Sequence, residues 1–371
     1  MKERAFESKH VVLAGLAAMV LAVGLFGLSA CGSSSSSSES ESGSAAASGA
    51  TDYSSLEKVT LISTDSNAPD SAGNKWQLAF KDAIEEITGG QISIDYHGNG
   101  ELGGDADTHR QLQSNDVQID CGQPAPFVSF IPEFAVFDAH MTMATYDADT
   151  IESVLNGDNE FSQKMQEAAE ANNMHILGWL QNGTYREVTS NKELRTLADY
   201  KGFQIRTMEN SNHMAFWTAI GAAPTPLAFA EVYFALQNGT VDGQENATDT
   251  CIGVNFQEVQ KYLCKTNHVL YVNCMMMSKE CWDSLDPLDQ QAVEEAVAQA
   301  TEQVRPELSQ LDEDSTKVMT DAGMEVIEYD DSFFEEVAAN EEVQKLNEDI
   351  DEQANGLLTI MKDQLAAAAK A

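Results

Sequence analysis

The chain has 371 residues, and its 21 Lys and Arg stand against 60 Asp and Glu, a formal charge of −39 at pH 7. A surface so acidic cannot hold nucleic acid and is repelled by anionic lipid headgroups; it makes a solvated shell of a kind suited to salty surroundings.

Lys2, Arg4, Lys9 and His10 form a basic start, Val11 to Leu28 is apolar, and Leu28-Ser29-Ala30-Cys31 follows. This pattern is that of a lipoprotein signal, residues 1–30, whose cleavage leaves Cys31 as an acylated N-terminus. The apolar run from Val11 to Leu28 could also just span a bilayer as an uncleaved anchor. A cysteine directly after small residues and ahead of a serine tether favours lipidation. Residues 31–56 are expected to be a flexible leash, because Gly32 to about Ala50 is Ser, Gly, Ala and Glu with nothing to bury. The protein is thus expected to be extracytoplasmic, held at the cell membrane by its lipidated cysteine alone. Residues 1–30 hold three Lys/Arg and two Asp/Glu, so the remainder carries 18 against 58, a charge of −40. Only five arginines are left there, which makes an arginine at a strand end a sharper signal than usual.

About 315 residues remain to fold, more than one comfortable core, which favours two lobes. Lys58 to Ser63 reads as a strand, Asn74 to Thr88 as an amphipathic helix stopped by Gly89-Gly90, and Gln91 to Tyr96 as a second strand. A turn at Asn99 to Gly104, a helix ending near Asn115 and a strand from Val117 to Cys121 complete a β-α-β-α-β order, which implies a parallel sheet with helices on both faces. Ligands of such sheets sit beyond the carboxyl ends of the strands, where Asn67 and Gln123 fall. In the second half, a helix from Ile151 to Asn172 is followed by strand Met174 to Leu180, loop Gln181 to Arg186 and strand Val188 to Ser190. Asp286 to Met319 is a helical run long enough to brace two lobes. Gly323 stops it, and a strand from Met324 to Glu328 and a C-terminal helix follow.

Two segments carry the functional information. Lys201-Gly202-Phe203-Gln204-Ile205-Arg206-Thr207-Met208-Glu209-Asn210 is a turn and a short strand that delivers an arginine at its end. In GAAPTPLAFAEVYFALQNGTVDGQEN, Gly221 to Asn246, Pro224 and Pro226 fix an extended lead into a helix from Phe229 to Gln237, stopped by Asn238-Gly239. Val241 to Asn246 is too polar to be expected as a core strand, so its side chains are expected to face a cleft. Taken alone, the segment is a helix, its glycine cap and a turn. Together the two segments resemble the solute-binding proteins of tripartite ATP-independent periplasmic (TRAP) transporters, over roughly Val59 to Phe333.

The resemblance implies an α/β, two-lobed periplasmic-binding-protein-like fold with a ligand cleft between the lobes and a long lobe-spanning helix. It divides the chain into 57–182 plus about 272–312 for the first lobe and 183–271 plus about 313–371 for the second. It makes Arg206 the chief ligand of a carboxylate, which a guanidinium can hold by two parallel hydrogen bonds; the plainer alternative is a surface arginine neutralising Glu209. Arg186, one residue further from Gly183 than the commonest form has it, would be a second arginine, Asn246 would complete the site, and Phe229 would be an apolar wall or simply core. Glu209 and Asn210 either meet a polar ligand tail or cap the next helix. Gln123, Asn67 and Tyr185 are pocket candidates by strand-end position, Trp179 and Trp217 are read as core, and Arg195 as solvated. Where the family has a Leu-Pro and aromatic run, this chain has Ala139-His140-Met141-Thr142-Met143-Ala144, so a remodelled pocket wall is expected there.

No HExxH, G-x-S-x-G, phosphate loop or dinucleotide fingerprint occurs. The cysteines fit no zinc pattern, and a disulfide or two among Cys251, Cys264, Cys274 and Cys281 is the expectation outside the cytoplasm. The reading is therefore a binding protein without cofactor or metal, expected to be monomeric; the resemblance implies that it captures a small organic acid and hands it to integral membrane subunits of a transporter. Its rivals are a subunit presenting the same acid to a membrane sensor, and a carboxylate-pair hydrolase.

Overall fold

The computed structural model describes residues 51–143 and 146–370; the signal segment, Cys31 and the serine tether lie outside them. The first sheet opens with β1 (Val59–Thr64), α1 (Ala72–Ile87), β2 (Ile92–His97), α2 (Asp105–Gln113) and β3 (Ile119–Gly122), with β1 parallel to both β2 and β3. Helix α1 exists because Trp76, Phe80, Ala83 and Ile84 recur at helical spacing and are all buried. The short α3 (Pro124–Phe127) and a tight turn over Pro132–Asp138 lead to α4 (Ala148–Leu155) and α5 (Glu160–Glu170). The single helix expected over 151–172 is broken because Asn159 starts a new one: its side chain accepts from Ser162 N while the Ser162 hydroxyl serves Asn159 N.

β4 (Met174–Tyr185) runs straight through the expected loop at 181–186, and β5 (Glu187–Ser190) continues it after one residue, Arg186. The first of these strands belongs to the first sheet and the second to the other sheet. The second sheet is then built by β6 (Gln204–Thr207), α6 (Ser211–Ala219), β7 (Ala223–Pro226), α7 (Val232–Gln237), β8 (Gly243–Asn246), α8 (Thr248–Gly253) and β9 (Tyr262–Cys264). The chain returns to the first sheet through Lys265 to Val269 and β10 (Leu270–Ser278), antiparallel to β3 and β4. Sheet order is β2-β1-β3-β10-β4 in one lobe and, with β11 (Glu325–Ile327), β11-β9-β5-β8-β6-β7 in the other. Two extended segments therefore pass between the lobes side by side, tied by Arg186 N to Val269 O at 2.8 Å.

After α9 (Lys279–Ser284), α10 (Pro287–Asp321) has 35 residues, roughly 50 Å at 1.5 Å per residue. Its first half packs Val293, Ala296, Val297 and Val304 into the core of α1, and Met319 near its end joins Leu236, Phe256 and Leu263 in the core of the second lobe. It spans both lobes, as expected. Tyr53 and Leu56 are also buried in the first of these cores, so order begins before the expected end of the leash at 56; two large apolar side chains with α10 beside them suffice to anchor it. The C-terminal residues form α11 (Asp331–Ala338), α12 (Glu341–Gln353) and α13 (Leu357–Ala368). The expected placement of 313–371 in the second lobe does not describe α13, which packs on α4 and α5, while α12 touches both the Pro132–Asp138 turn and α6. The apolar faces of these helices, Val343, Leu346, Ile350, Leu358 and Met361, fill a core shared by both lobes.

The lobes also meet across the mouth of the cleft. Gly253 of α8 lies so near the 68–69 loop that a Cβ there would stand 2.5 Å from Pro69 O. The Asp249 carboxylate accepts from Ala72 N at 2.8 Å, capping α1 from the opposite lobe, since Ser71 provides no side-chain cap. Asp249→Ala is expected to weaken binding of a solute held between the lobes about fivefold, because the cap forms only when the lobes are together. Calorimetry would show it, and unchanged affinity would mean the contact does not follow closure.

Candidate functional site

A cleft of about 570 Å³ lies between the lobes, with Ser66, Asn67 and Asp105 on the first side and Arg206, Glu209 and Phe229 on the second. It narrows into a polar end where Gln123, Asn246, Thr250 and Tyr271 come together. The strands put them there: Ser66 and Asn67 follow β1, Gln123 follows β3, Asn246 ends β8, and Glu209 follows β6.

Arg206 is held on β6 between β8 and β7, its backbone opposite Gln244 and Thr225. Its side chain is buried, and Nε and Nη2 both donate to Leu227 O, at 3.0 and 2.8 Å. The guanidinium lies over Phe229, 6.0 Å from the ring centre. Among the described residues its Nη1 finds no hydrogen-bond partner, although it is buried. Burial lowers the group to about 10, with Arg186 acting in the same direction and Glu245 and Asp105 opposing it; it keeps its proton at neutral pH. A buried cation with an unspent donor at the wall of a cleft is where an anion is stabilised most.

Arg186 is differently employed. Its Nη2 donates to Glu245 Oε1 at 3.0 Å and Glu245 O at 2.9 Å, its Nε to Glu245 Oε2 and its Nη1 to Gln123 Oε1. It lies 5.6 Å over Tyr271 and does not line the cleft. The expectation that it acts as a second ligand arginine thus gives way to an internal ion pair that fixes Gln123 and the crossing strand. Burial alone would raise the Glu245 carboxyl, but Arg186, a hydrogen bond from His268 and the nearby His213 hold it well below the usual carboxylate range. Beside this pair, Asp138 accepts from Asn210 and Asn212 and meets His213, linking the Pro132–Asp138 turn to the start of α6.

Val241 to Asn246 is the largest departure from expectation: β8 is a wholly buried central strand between β5 and β6. Its polar residues have partners inside. Gln244 bonds Thr189, Glu245 bonds Arg186, and only Asn246, at the end, reaches the cleft. Gly243 is required, since a Cβ would stand 2.3 Å from Thr189 O.

Of the other expected residues, Asn67, Gln123, Phe229 and Glu209 line the cleft, while Tyr185 packs against the apolar core instead. Asn210 caps α6, accepting from Asn212 N and His213 N, so the capping alternative holds for it. Trp179 and Trp217 are core, and Arg195 is exposed with Glu193 and Glu325. Residues 139–143 do not form a wall of the cleft; His140 is buried behind the crossing strands, stacked 3.6 Å on Phe216. The five described cysteines are buried and unbridged, which replaces the expected disulfides. Sequence reasoning missed Ser66, Asp105, Thr250 and Tyr271. The strand-end rule that found Asn67 also covers Ser66, and Asp105 opens a helix after the glycine turn following β2, the same kind of position; Thr250 and Tyr271 carry no such mark.

The crossing strand also holds a titrating group. Glu187 is buried and accepts from Asn267 N at 2.9 Å; burial pushes its carboxyl up to about 8 from 4.5, against that hydrogen bond and the Lys265 charge. Between those two values the folded protein keeps a proton that the unfolded chain has lost, so stability from this group is full at lower pH and falls as pH rises through 8. Glu187→Gln should therefore gain stability relative to the parent as pH rises, read from thermal melts across that range. Parallel melting curves would contradict the assignment.

Two lobes joined by paired crossing strands and a bracing helix, with a buried arginine facing the cleft, define a solute-binding protein of the two-lobed class. The chain belongs to the DctP family, "Bacterial extracellular solute-binding protein, family 7", which it matches over residues 64–356. A "Solute-binding protein" of Verminephrobacter eiseniae is 32% identical over 252 residues, 67% of this chain and 73% of the relative. The "C4-dicarboxylate-binding periplasmic protein DctP" of Rhodobacter capsulatus is 30% identical over 277 residues, 74% and 81% of the two chains. Among solved structures, the sugar acid binding protein DctPAm of Advenella mimigardefordensis, in complex with galactonate, superposes with a TM-score of 0.78 at 26% identity, covering 84% of this chain and 99% of that one. The fold and family expected from the two sequence segments are those found: a TRAP-type solute-binding protein.

Proposed function

We propose that the protein captures a small organic acid outside the cytoplasm and delivers it to the integral membrane subunits of a TRAP transporter, tethered by a lipidated Cys31. The observation that supports the capture is Arg206, a buried cation that lines the cleft and whose Nη1 has no hydrogen-bond partner among the described residues. A ligand carboxylate accepts from it while Asn246 and Gln123 close the polar end, and Phe229 lies beneath. Relatives named for binding galactonate and C4-dicarboxylates support an acid as ligand. Closure contributes contacts that neither lobe makes alone, so the acid shifts the population toward the closed form.

A thermal-shift screen over mono- and dicarboxylates, sugar acids and keto acids tests this. Ligand at a hundredfold above Kd adds about 2.7 kcal/mol, and at least one acid is expected to raise Tm by several degrees. If no acid did so while neutral solutes did, the reading would fail.

A further inference from the structure

Arg206 is the sole basic residue lining the cleft among the described residues, whereas Asp105, Asp107 and Glu209 all line its wide part. Asp105 opens α2 on the first lobe, where it accepts from the Ser66 hydroxyl; Glu209 stands on the second lobe, three residues beyond Arg206. Asp105 and Glu209 lie close enough to feel each other's charge, and both feel Arg206. The α2 N-terminus would favour an anion, but its first turn already carries Asp105 and Asp107.

We propose that Asp105 and Glu209 set the specificity of the cleft, facing each other's field from opposite lobes and excluding a second carboxylate, so that the solute is a monocarboxylate whose tail brings hydroxyl or ammonium donors. This rests on the reading that Arg206 takes the carboxylate. With that carboxylate on Arg206, a second one would meet two or three acidic side chains and no cation. It would also add to the repulsion between the lobes on closing. A donor-bearing tail does the reverse: hydrogen bonds to Asp105 and Glu209 form only when both lobes are together, so the tail's chemistry is read by closure itself. Burial pushes the Asp105 carboxyl up; an ammonium beside it lowers it again, and the hydroxyl and ammonium arms separate on this point.

The test is calorimetry on the full chain with three probes of equal length, 5-aminopentanoate, 5-hydroxypentanoate and glutarate. Glutarate is expected to bind at least about tenfold more weakly than either of the others. Asp105→Asn, Glu209→Gln and the double variant should narrow the gap by strengthening glutarate relative to 5-aminopentanoate, and a salt-dependent gap for the ammonium probe alone would assign the attraction to charge. Glutarate binding as tightly as the other two, a double variant that leaves the ratio within about twofold, or no binding by any of the three would each overturn the inference. Failure of the carboxylate site is a different result: a monocarboxylate that binds equally well to Arg206→Ala.

Discussion

Arg206→Ala is expected to cost on the order of 3 kcal/mol in affinity for an acid ligand, more than a hundredfold, because a carboxylate buried in the cleft then lacks its charge partner. The fold should survive the change. Among the described residues Arg206 forms no ion pair, and what is lost internally is two hydrogen bonds to Leu227 O, set against removal of a cation that burial already disfavours. Lysine should restore only part of the affinity, since an ammonium is one point charge and cannot reproduce the guanidinium's paired donors. Arg195→Ala is the control: its side chain is half exposed on Glu193 and Glu325, and it should be near neutral for folding and binding. Calorimetry giving Arg206→Ala within about threefold of the parent, with an intact fold, would remove Arg206 from the site.

Arg186→Ala should show the opposite split. Removing one partner of a buried ion pair leaves the other uncompensated and costs about 3–5 kcal/mol, a large share of the 5–15 kcal/mol typical of a folded domain. Both side chains are almost fully buried, with Arg186 2% and Glu245 0% exposed, so solvent cannot make up the loss. The double substitution Arg186→Met with Glu245→Leu should recover most of it, because no buried charge is then left alone. Denaturant melts of the two single variants and the double variant read this coupling directly; additive losses would show that the pair does not act as a unit. The Glu245 contribution has a defined pH sense. A carboxyl held below its ordinary range stabilises above that range, and the stability is lost as pH falls through it, the reverse of Glu187.

The elements legible in the sequence were those whose periodicity and local chemistry agree. Helix α1 shows four buried apolar positions at helical spacing, and α10 keeps its register over 35 residues. The strand ends were legible as well: Asn67, Gln123 and Arg206, read from strand-end position, line the cleft. β8 was not, because polar residues normally argue against a core strand. Its Gln244 and Glu245 bond Thr189 on the neighbouring strand and Arg186 just before it, a pairing of residues 55 or more positions apart that no local pattern contains. The same long-range pairing hid the role of Arg186: the sequence shows an arginine at a strand boundary, and only the fold shows that Glu245 already occupies it. The return of α13 to α4 and α5 is likewise a packing outcome, since an amphipathic helix declares which of its faces is buried and not what covers it.

The most direct test of the central claim is a crystal structure of the complex with an acid that raises Tm in the screen. The account predicts a ligand carboxylate oxygen on Arg206 Nη1 at about 2.7–3.1 Å, the rest of the molecule running toward Asp105 and Glu209, and Arg186 still paired with Glu245. A ligand carboxylate seated on Arg186, or anywhere away from Arg206, would contradict it.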